Sequence, residues 1–197
     1  MIHPHTKLVF INEQIGYGVF ATRFIPKGTI TYVKDALEII ISDERFKEHT
    51  PEVKEIIEKY SYRDQNGDNI ISWDFAKYVN HCCNCNTIST GYGFEMAIRD
   101  IYPDEQITDE YGIFNLKEEM PLSCGETCCR KKIAPDDFSK YYQDWDAKIK
   151  ESIFFLFDVN QPLLSLVDDQ TKGELAILKK YPEEYKSVSA LMHQVPA

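Results

Sequence analysis

Hydrophobic positions along this chain recur at two spacings, and the change from one to the other divides it. Near the start, KLVFI (residues 7–11) and VFATRFI (residues 19–25) are short runs of β-branched and aromatic residues that predict two strands. QIGYG lies between them, and PKGTI turns the chain after the second. TYVKDALEIII (residues 31–41) supplies further strand material. From Ser42 the spacing becomes helical. Ser42 is a good N-cap, Asp43 and Glu44 suit a helix N-terminus, and Phe46 opens an apolar series. Pro51 starts a second helix, PEVKEIIEKY, with Val53, Ile56, Ile57 and Tyr60 on one face. YSYRD and NIISW then flank QNGD, whose Asn-Gly pair predicts a hairpin.

Further along, DFAKYVNH predicts a short helical or turn segment, GFEMAIRDI a strand, YPDEQ a turn and ITDEYG another strand end. SCGETCCRKK is too small and polar to form regular structure unaided. Beyond Pro135, Phe138, Tyr142, Trp145, Ile149 and Ile153 fall close to one stripe, and a second helical piece, KGELAILKKY, follows QPLLSLVDD. The pattern predicts an α+β fold, mostly β, with one inserted helical stretch and a helical C-terminal part.

Composition narrows the function. A chain of 197 residues suffices for one domain plus an appendage, and 43% hydrophobic with 13% aromatic content is globular. The formal charge of -10, from 32 acidic and 22 basic residues, argues against direct electrostatic binding of nucleic acid. It suits a cationic partner such as a lysine-rich peptide. MIHPHTKLVFINEQ lacks a basic region followed by an apolar run, and SIFFLF (residues 152–157) is far shorter than the ~18 residues of a membrane span. The expectation is a soluble, intracellular protein with no membrane partner, cytoplasmic by default. Delivery to a host cell or nucleus stays open, as does the oligomeric state. Six cysteines between Cys82 and Cys129 then face a reducing compartment, where clustering points to a metal before disulfides.

NHCCNCN (residues 80–86) is the densest chemistry in the chain. A Cys-His nucleophile is disfavoured there, because sequence neighbours rarely form such a dyad and no orienting group is evident. Zinc takes four ligands, usually thiolates paired closely in sequence; CGETCC offers Cys124 with Cys128 or Cys129, and the upstream trio offers at least one more. In Gly16-Tyr17-Gly18 the two glycines let the backbone approach a ligand closely, although taken alone the motif reads first as a plain turn between two strands. A third glycine and a following helix are missing, so this is no dinucleotide fingerprint.

Taken in order, GYGVFATRFIPKGT, AKYVNHCCNCN, PDEQITDEYG and SCGETCCRK resemble the SET-domain protein lysine methyltransferases, from about Thr6 to Lys132. The first is similar to the family's GxG segment, the second to its RFINHSCxPN, the third to GEELTxDYG and the fourth to the post-SET CGSxxCR. YSYRDQNGDNIISWD resembles bacterial-type members. The resemblance implies a SET fold of small curved β-sheets with a knot-like crossing that brings residues 80 and 81 beside residue 111. It divides the chain into a SET domain at 6–116 with a helical insert at about 43–60, a post-SET-like cysteine segment at 117–133 and a helical extension at 134–197.

By the same resemblance, Gly16, Tyr17, Gly18, Asn80 and His81 hold S-adenosylmethionine, with one of Tyr60 and Tyr62 packing against it unless both are core residues. Tyr111 matches the catalytic tyrosine of a direct methyl displacement by a neutral lysine amine. The substrate is then a lysine in a basic protein or peptide, such as a histone. One zinc ion is expected on Cys83, Cys124, Cys128 and Cys129, with Cys82 or Cys85 able to replace Cys128. Four departures stand out: Cys82 for serine, Cys85 for proline, Asp109 for an aromatic residue that limits methyl number, and Leu122 for a cysteine. They motivate an alternative, a weak or inactive zinc-stabilised interaction module of the same fold.

Overall fold

The structure, a computed structural model, describes residues 1–122 and 124–193. Ser123 of the cysteine segment and the last four residues of the expected extension, 194–197, lie outside the described residues.

The two N-terminal runs pair as predicted. β1 (Thr6–Asn12) and β2 (Gly16–Ala21) form an antiparallel hairpin that takes GYG into the start of its second strand. Residues 31–41 divide: β3 (Ile30–Val33) and β4 (Ile39–Ile41) enter different sheets, because the chain turns between them where Asp35 accepts the Leu37 and Glu38 N–H groups. α1 (Asp43–Glu48) begins where Ser42 accepts the Arg45 N–H, and α2 (Pro51–Tyr60) carries its proline in the first turn. Of the apolar face read for α2, only Ile57 is buried; Val53 and Ile56 stay exposed, since this helix lies at the edge of the fold.

β5 (Ser61–Arg63) and β6 (Asn69–Ile71) form the expected hairpin and pair with β4 in a three-stranded sheet. Its loop runs from Asp64 to Asp68 and is no two-residue turn. Asp64 Oδ1 accepts the N–H groups of Asn66 and Asp68, and only Gly67 takes a positive φ, +83°. A 3-10 turn (Phe75–Tyr78) leads into β7 (Asn80–His81). β8 (Thr87–Ser89), unforeseen in the sequence, joins β9 (Phe94–Ala97) and β3. β10 (Gln106–Asp109) lies between β2 and β7, completing a four-stranded sheet in the order β1-β2-β10-β7. β11 (Met120–Pro121) and β12 (Lys132–Ile133), two residues each, flank the cysteine segment.

α3 (Asp137–Ile153) and α4 (Asp169–Lys180) follow. They shift the balance of the α+β fold: residues in helices outnumber those in strands, against the mostly β reading, because nearly everything after residue 136 is helical or in 3-10 turns. Phe138, Trp145, Ile149 and Ile153 of the predicted stripe are buried, and Tyr142 packs at their margin. Together with Leu175 and Leu178 they form one core with Ile30, Val33, Ile88, Phe94 and Met96 from the β3-β9-β8 sheet. The turn before β3 is moulded to this layer: Gly28 has φ +87°, and a Cβ there would lie 2.6 Å from the Phe155 backbone. Gln161 fastens the contact by accepting the Ile30 N–H and donating to the Gly28 carbonyl, both at 2.8 Å. Among the described residues no helix is long and apolar enough to cross a membrane.

Ile149 is fully buried in the shared core. Ile149→Ala is expected to cost about 2–5 kcal/mol in urea unfolding, by lost burial plus a cavity. Tyr142→Ala, at the margin, should cost clearly less.

Candidate active site

The site is set by a short parallel pairing: Asn80 opposite Thr108 and His81 opposite Asp109. Two residues are few for a strand, and neighbouring groups extend the seam. The Cys82 N–H donates to the Asp109 carbonyl at 3.2 Å. Asn86, fully buried, accepts the Thr108 N–H at 2.9 Å and donates to the Gln106 carbonyl at 2.8 Å, so its amide replaces missing backbone on the β10 edge. The sequence reading gave Asn86 no role. Its position as the last residue of NHCCNCN was the available signal.

Beyond β10 a single 3-10 turn (Tyr111–Ile113) begins. Glu110 caps it, accepting the Gly112 N–H at 2.8 Å, and the same oxygen takes Arg130 Nη2 at 2.5 Å. The Tyr111 N–H donates to His81 Nδ1 at 3.2 Å, which leaves the imidazole proton on Nε2, 3.3 Å from the Cys83 sulfur. Burial and the nearby Arg130 guanidinium lower the His81 pKa to about 4, so the ring is neutral at pH 7. The Tyr111 hydroxyl donates to the Val79 carbonyl at 2.5 Å. Burial, reinforced by Asp109 and Glu95, pushes its pKa above the usual tyrosine range and keeps it a donor.

Tyr111 lines a cavity of about 380 Å³ with Tyr60, Tyr62, Val79, Glu95 and Asp109. Both candidate tyrosines therefore reach it. Gly16–Gly18, Asn80 and His81 do not line it; the structure brings them to one another and to the Tyr111 backbone. Asn80 Nδ2 donates to the Tyr17 carbonyl at 3.0 Å, and a Cβ on Gly18 would lie 3.1 Å from that nitrogen and 2.7 Å from Gln106 Nε2. Tyr17 is half-exposed, and a run of edge-to-face rings, Tyr17–Tyr78 at 5.7 Å and Tyr78–Tyr60 at 5.5 Å, leads from GYG to the cavity.

Three of the four cysteines expected to share a metal meet. The thiols of Cys83, Cys124 and Cys129 lie within 4.8 Å of one another, while Cys128 is exposed and outside the group. Backbone N–H groups around Cys124 and Lys131 lower the Cys129 pKa to about 7, favouring the thiolate. Of the substitutes, Cys82 lies within reach of the Cys124 thiol, and Cys85 is buried away beside Asp109 and Glu110. Arg130 ties the cysteines to the tyrosine turn: its backbone N–H donates to the Cys83 sulfur at 3.3 Å, and its side chain holds Glu110 and lies over the Tyr141 ring. Arg130→Met would leave the buried Glu110 carboxylate uncompensated, at about 3 kcal/mol in urea unfolding. Adding Glu110→Gln, which still accepts the Gly112 N–H, should recover part of that loss.

Residues 16–112 match the family described as SET domain. The histone-lysine N-methyltransferase trr of Drosophila melanogaster is 30% identical over 131 residues, 59% of this chain and 5% of that protein. The H3 lysine-36-specific histone-lysine N-methyltransferase of Schizosaccharomyces pombe is 28% identical over 141 residues, 64% of this chain and 17% of its own length. The chain thus spans only a small part of these relatives. The solved methyltransferase domain of human histone-lysine N-methyltransferase SETMAR overlaps 68% of this chain and 58% of its own, with 18% identity and a TM-score of 0.44. The chain carries a SET domain, matched over residues 16–112.

Proposed function

We propose that this chain is an S-adenosylmethionine-dependent protein lysine N-methyltransferase acting on a basic protein substrate. The observation that carries the reading is the position of Tyr111: a protonated hydroxyl held by the Val79 carbonyl on the wall of a 380 Å³ cavity, directly after the strand paired with Asn80 and His81. The cavity also suits cationic ligands, since buried Asp109 and half-buried Glu95 both line it and neither forms an ion pair among the described residues.

S-adenosylmethionine, when bound, supplies a methyl group on a positively charged sulfur. Gly16, Tyr17, Gly18, Asn80 and His81, with Tyr60 and Tyr62 from the cavity side, are the residues that would hold it. Tyr111 orients the acceptor nitrogen by its hydroxyl dipole, and the Val79 hydrogen bond fixes that dipole before substrate arrives. Alignment of this kind supplies several kcal/mol of barrier lowering without a strong base. Desolvation on entering the cavity works to lower the pKa of the incoming lysine from its ordinary ~10.4.

Cys83, Cys124 and Cys129 fit a thiophilic ion such as zinc: three sulfurs already converge and one is poised as thiolate. Their link through Arg130 to Glu110 connects such an ion to the Tyr111 turn.

Isotope-labelled methyl transfer to purified core histones tests the activity. Tyr111→Phe is expected to lose 10²–10³-fold, roughly the effect of deleting one preorganised donor, while staying folded and losing only the ~1 kcal/mol of the Val79 hydrogen bond; full activity in that variant would overturn the role given to Tyr111. Cobalt(II) added to the metal-free protein should give thiolate charge-transfer absorption that Cys83→Ser weakens and Cys128→Ser leaves in place.

A further inference from the structure

The cavity contains a buried acid that the chemistry of Tyr111 does not use. Asp109 is 1% exposed; its Oδ1 accepts the Glu110 N–H at 2.7 Å, and among the described residues its Oδ2 meets no donor other than a proton shared with Glu95. Glu95, reaching over from β9, lies within side-chain hydrogen-bonding range of Asp109, and both line the cavity beside Tyr111. Two carboxylates in hydrogen-bonding range, Asp109 buried and Glu95 partly so, resist ionising together. They hold one proton between them and carry a single negative charge. Burial and mutual repulsion push Asp109 well above the carboxylate range, and burial raises Glu95 to about 7.

The groups facing this pair offer it no counter-charge. Tyr62, Tyr111 and the Cys85 thiol are neutral, Glu38 is a further acid, and Glu110 is held by Arg130. The Met1 amino group contributes only from its place beside Asp35, 2.9 Å away. Lys59, Arg63, Lys77 and Lys117 line the cavity, yet none forms an ion pair with Asp109 or Glu95. A buried charge without a partner is stabilised when a cation with hydrogen-bond donors enters.

We propose that the Asp109–Glu95 pair is the seat of the substrate's alkylammonium, accepting its N–H groups and taking one proton from it so that a neutral amine faces Tyr111. This assignment rests on the methyl-transfer reading above. The step balances as follows. The ammonium gives one proton to the pair, which then holds two and is neutral. The amine lone pair forms the N–CH₃ bond while the S–CH₃ bond breaks, its electrons going to sulfur. The pair then releases its extra proton to water and returns to a single charge.

Two arms test it on the full chain. In the first, n-butylammonium and choline, which has no N–H, are titrated into the protein by calorimetry. Butylammonium should bind the unaltered protein at least tenfold more tightly than choline, and Asp109→Asn and Glu95→Gln should each abolish that preference. Asn retains the acceptor for the Glu110 N–H, and the second variant sits on another strand, so a folding failure in one leaves the other informative. Equal binding of the two cations by the unaltered protein, or a preference unchanged in both variants, overturns the proposal. In the second arm, kcat/KM for methyl transfer to core histones is followed with pH. The unaltered protein should lose rate as pH falls through about 7, where the pair loses its negative charge. Either variant should be at least tenfold slower at pH 8 and lack that limb; an unchanged rate and limb in both overturn the pair. No transfer at all, with the butylammonium preference intact, would sink the methyltransferase reading and leave the ammonium seat standing.

Discussion

The hydrogen bond from the Tyr111 N–H to His81 Nδ1 joins two strands that are thirty residues apart in sequence and parallel in space. A parallel neighbour cannot be reached by a tight hairpin, so the chain between His81 and Tyr111 must leave the sheet and return. It does so through β8 and β9, which belong to a different sheet with its own core. The geometry at Tyr111 therefore depends on two sheets at once. Asn86 and Glu110 are the small parts that make this workable: one replaces absent strand backbone, the other caps the turn that aims the tyrosine ring. Neither touches the cavity, and both fix what does.

The electrostatics follow the same economy. His81 is kept neutral by burial and by Arg130, and the same Arg130 pairs with Glu110 at 2.5 Å. One guanidinium thus adds to the effect of burial on a histidine and holds a carboxylate whose oxygen lies 3.9 Å from that histidine's Nδ1. Among the described residues the Asp109–Glu95 pair has no ion-pair partner, and Asp109 Oδ2 lacks even the hydroxyl and backbone donors that satisfy buried Asp146. In a chain carrying a formal charge of -10, acidic groups are common, but nearly all find solvent or a basic partner. An exception inside a cavity has a different physical meaning from an exception on the surface.

Local chemistry was legible where it was local. Ser42 capping α1, Pro51 opening α2, and the Phe138–Ile153 stripe of α3 each depend on a few neighbouring residues, and each formed as read. The apolar face of α2 was misjudged because periodicity reports that a face is apolar and says nothing about whether another element covers it; Ile56 remains exposed. β8 was missed because TIS, between polar Asn86 and the turn at Thr90, has no alternation long enough to signal a strand. The site was legible only through ordered motifs, which placed Asn80, His81 and Tyr111 near one another. Partners that depend on distant packing, such as Arg130 on Glu110 or Glu95 against Asp109, leave no trace in spacing. The cysteines show the same limit: CGETCC left open which two of its three sulfurs turn inward, and the fold draws Cys124 and Cys129 toward Cys83.

The interior shared by α3, α4 and the β3-β9-β8 sheet has a consequence for how this protein varies over evolution. The family match ends at residue 112, yet Ile30, Phe94 and Met96 are covered by residues beyond 137. The family-matched stretch and the stretch that completes its core are then different. Shuffling of residues 16–112 into another protein would strip one sheet of its lid, so the segment is inherited with its helices or must acquire a substitute roof.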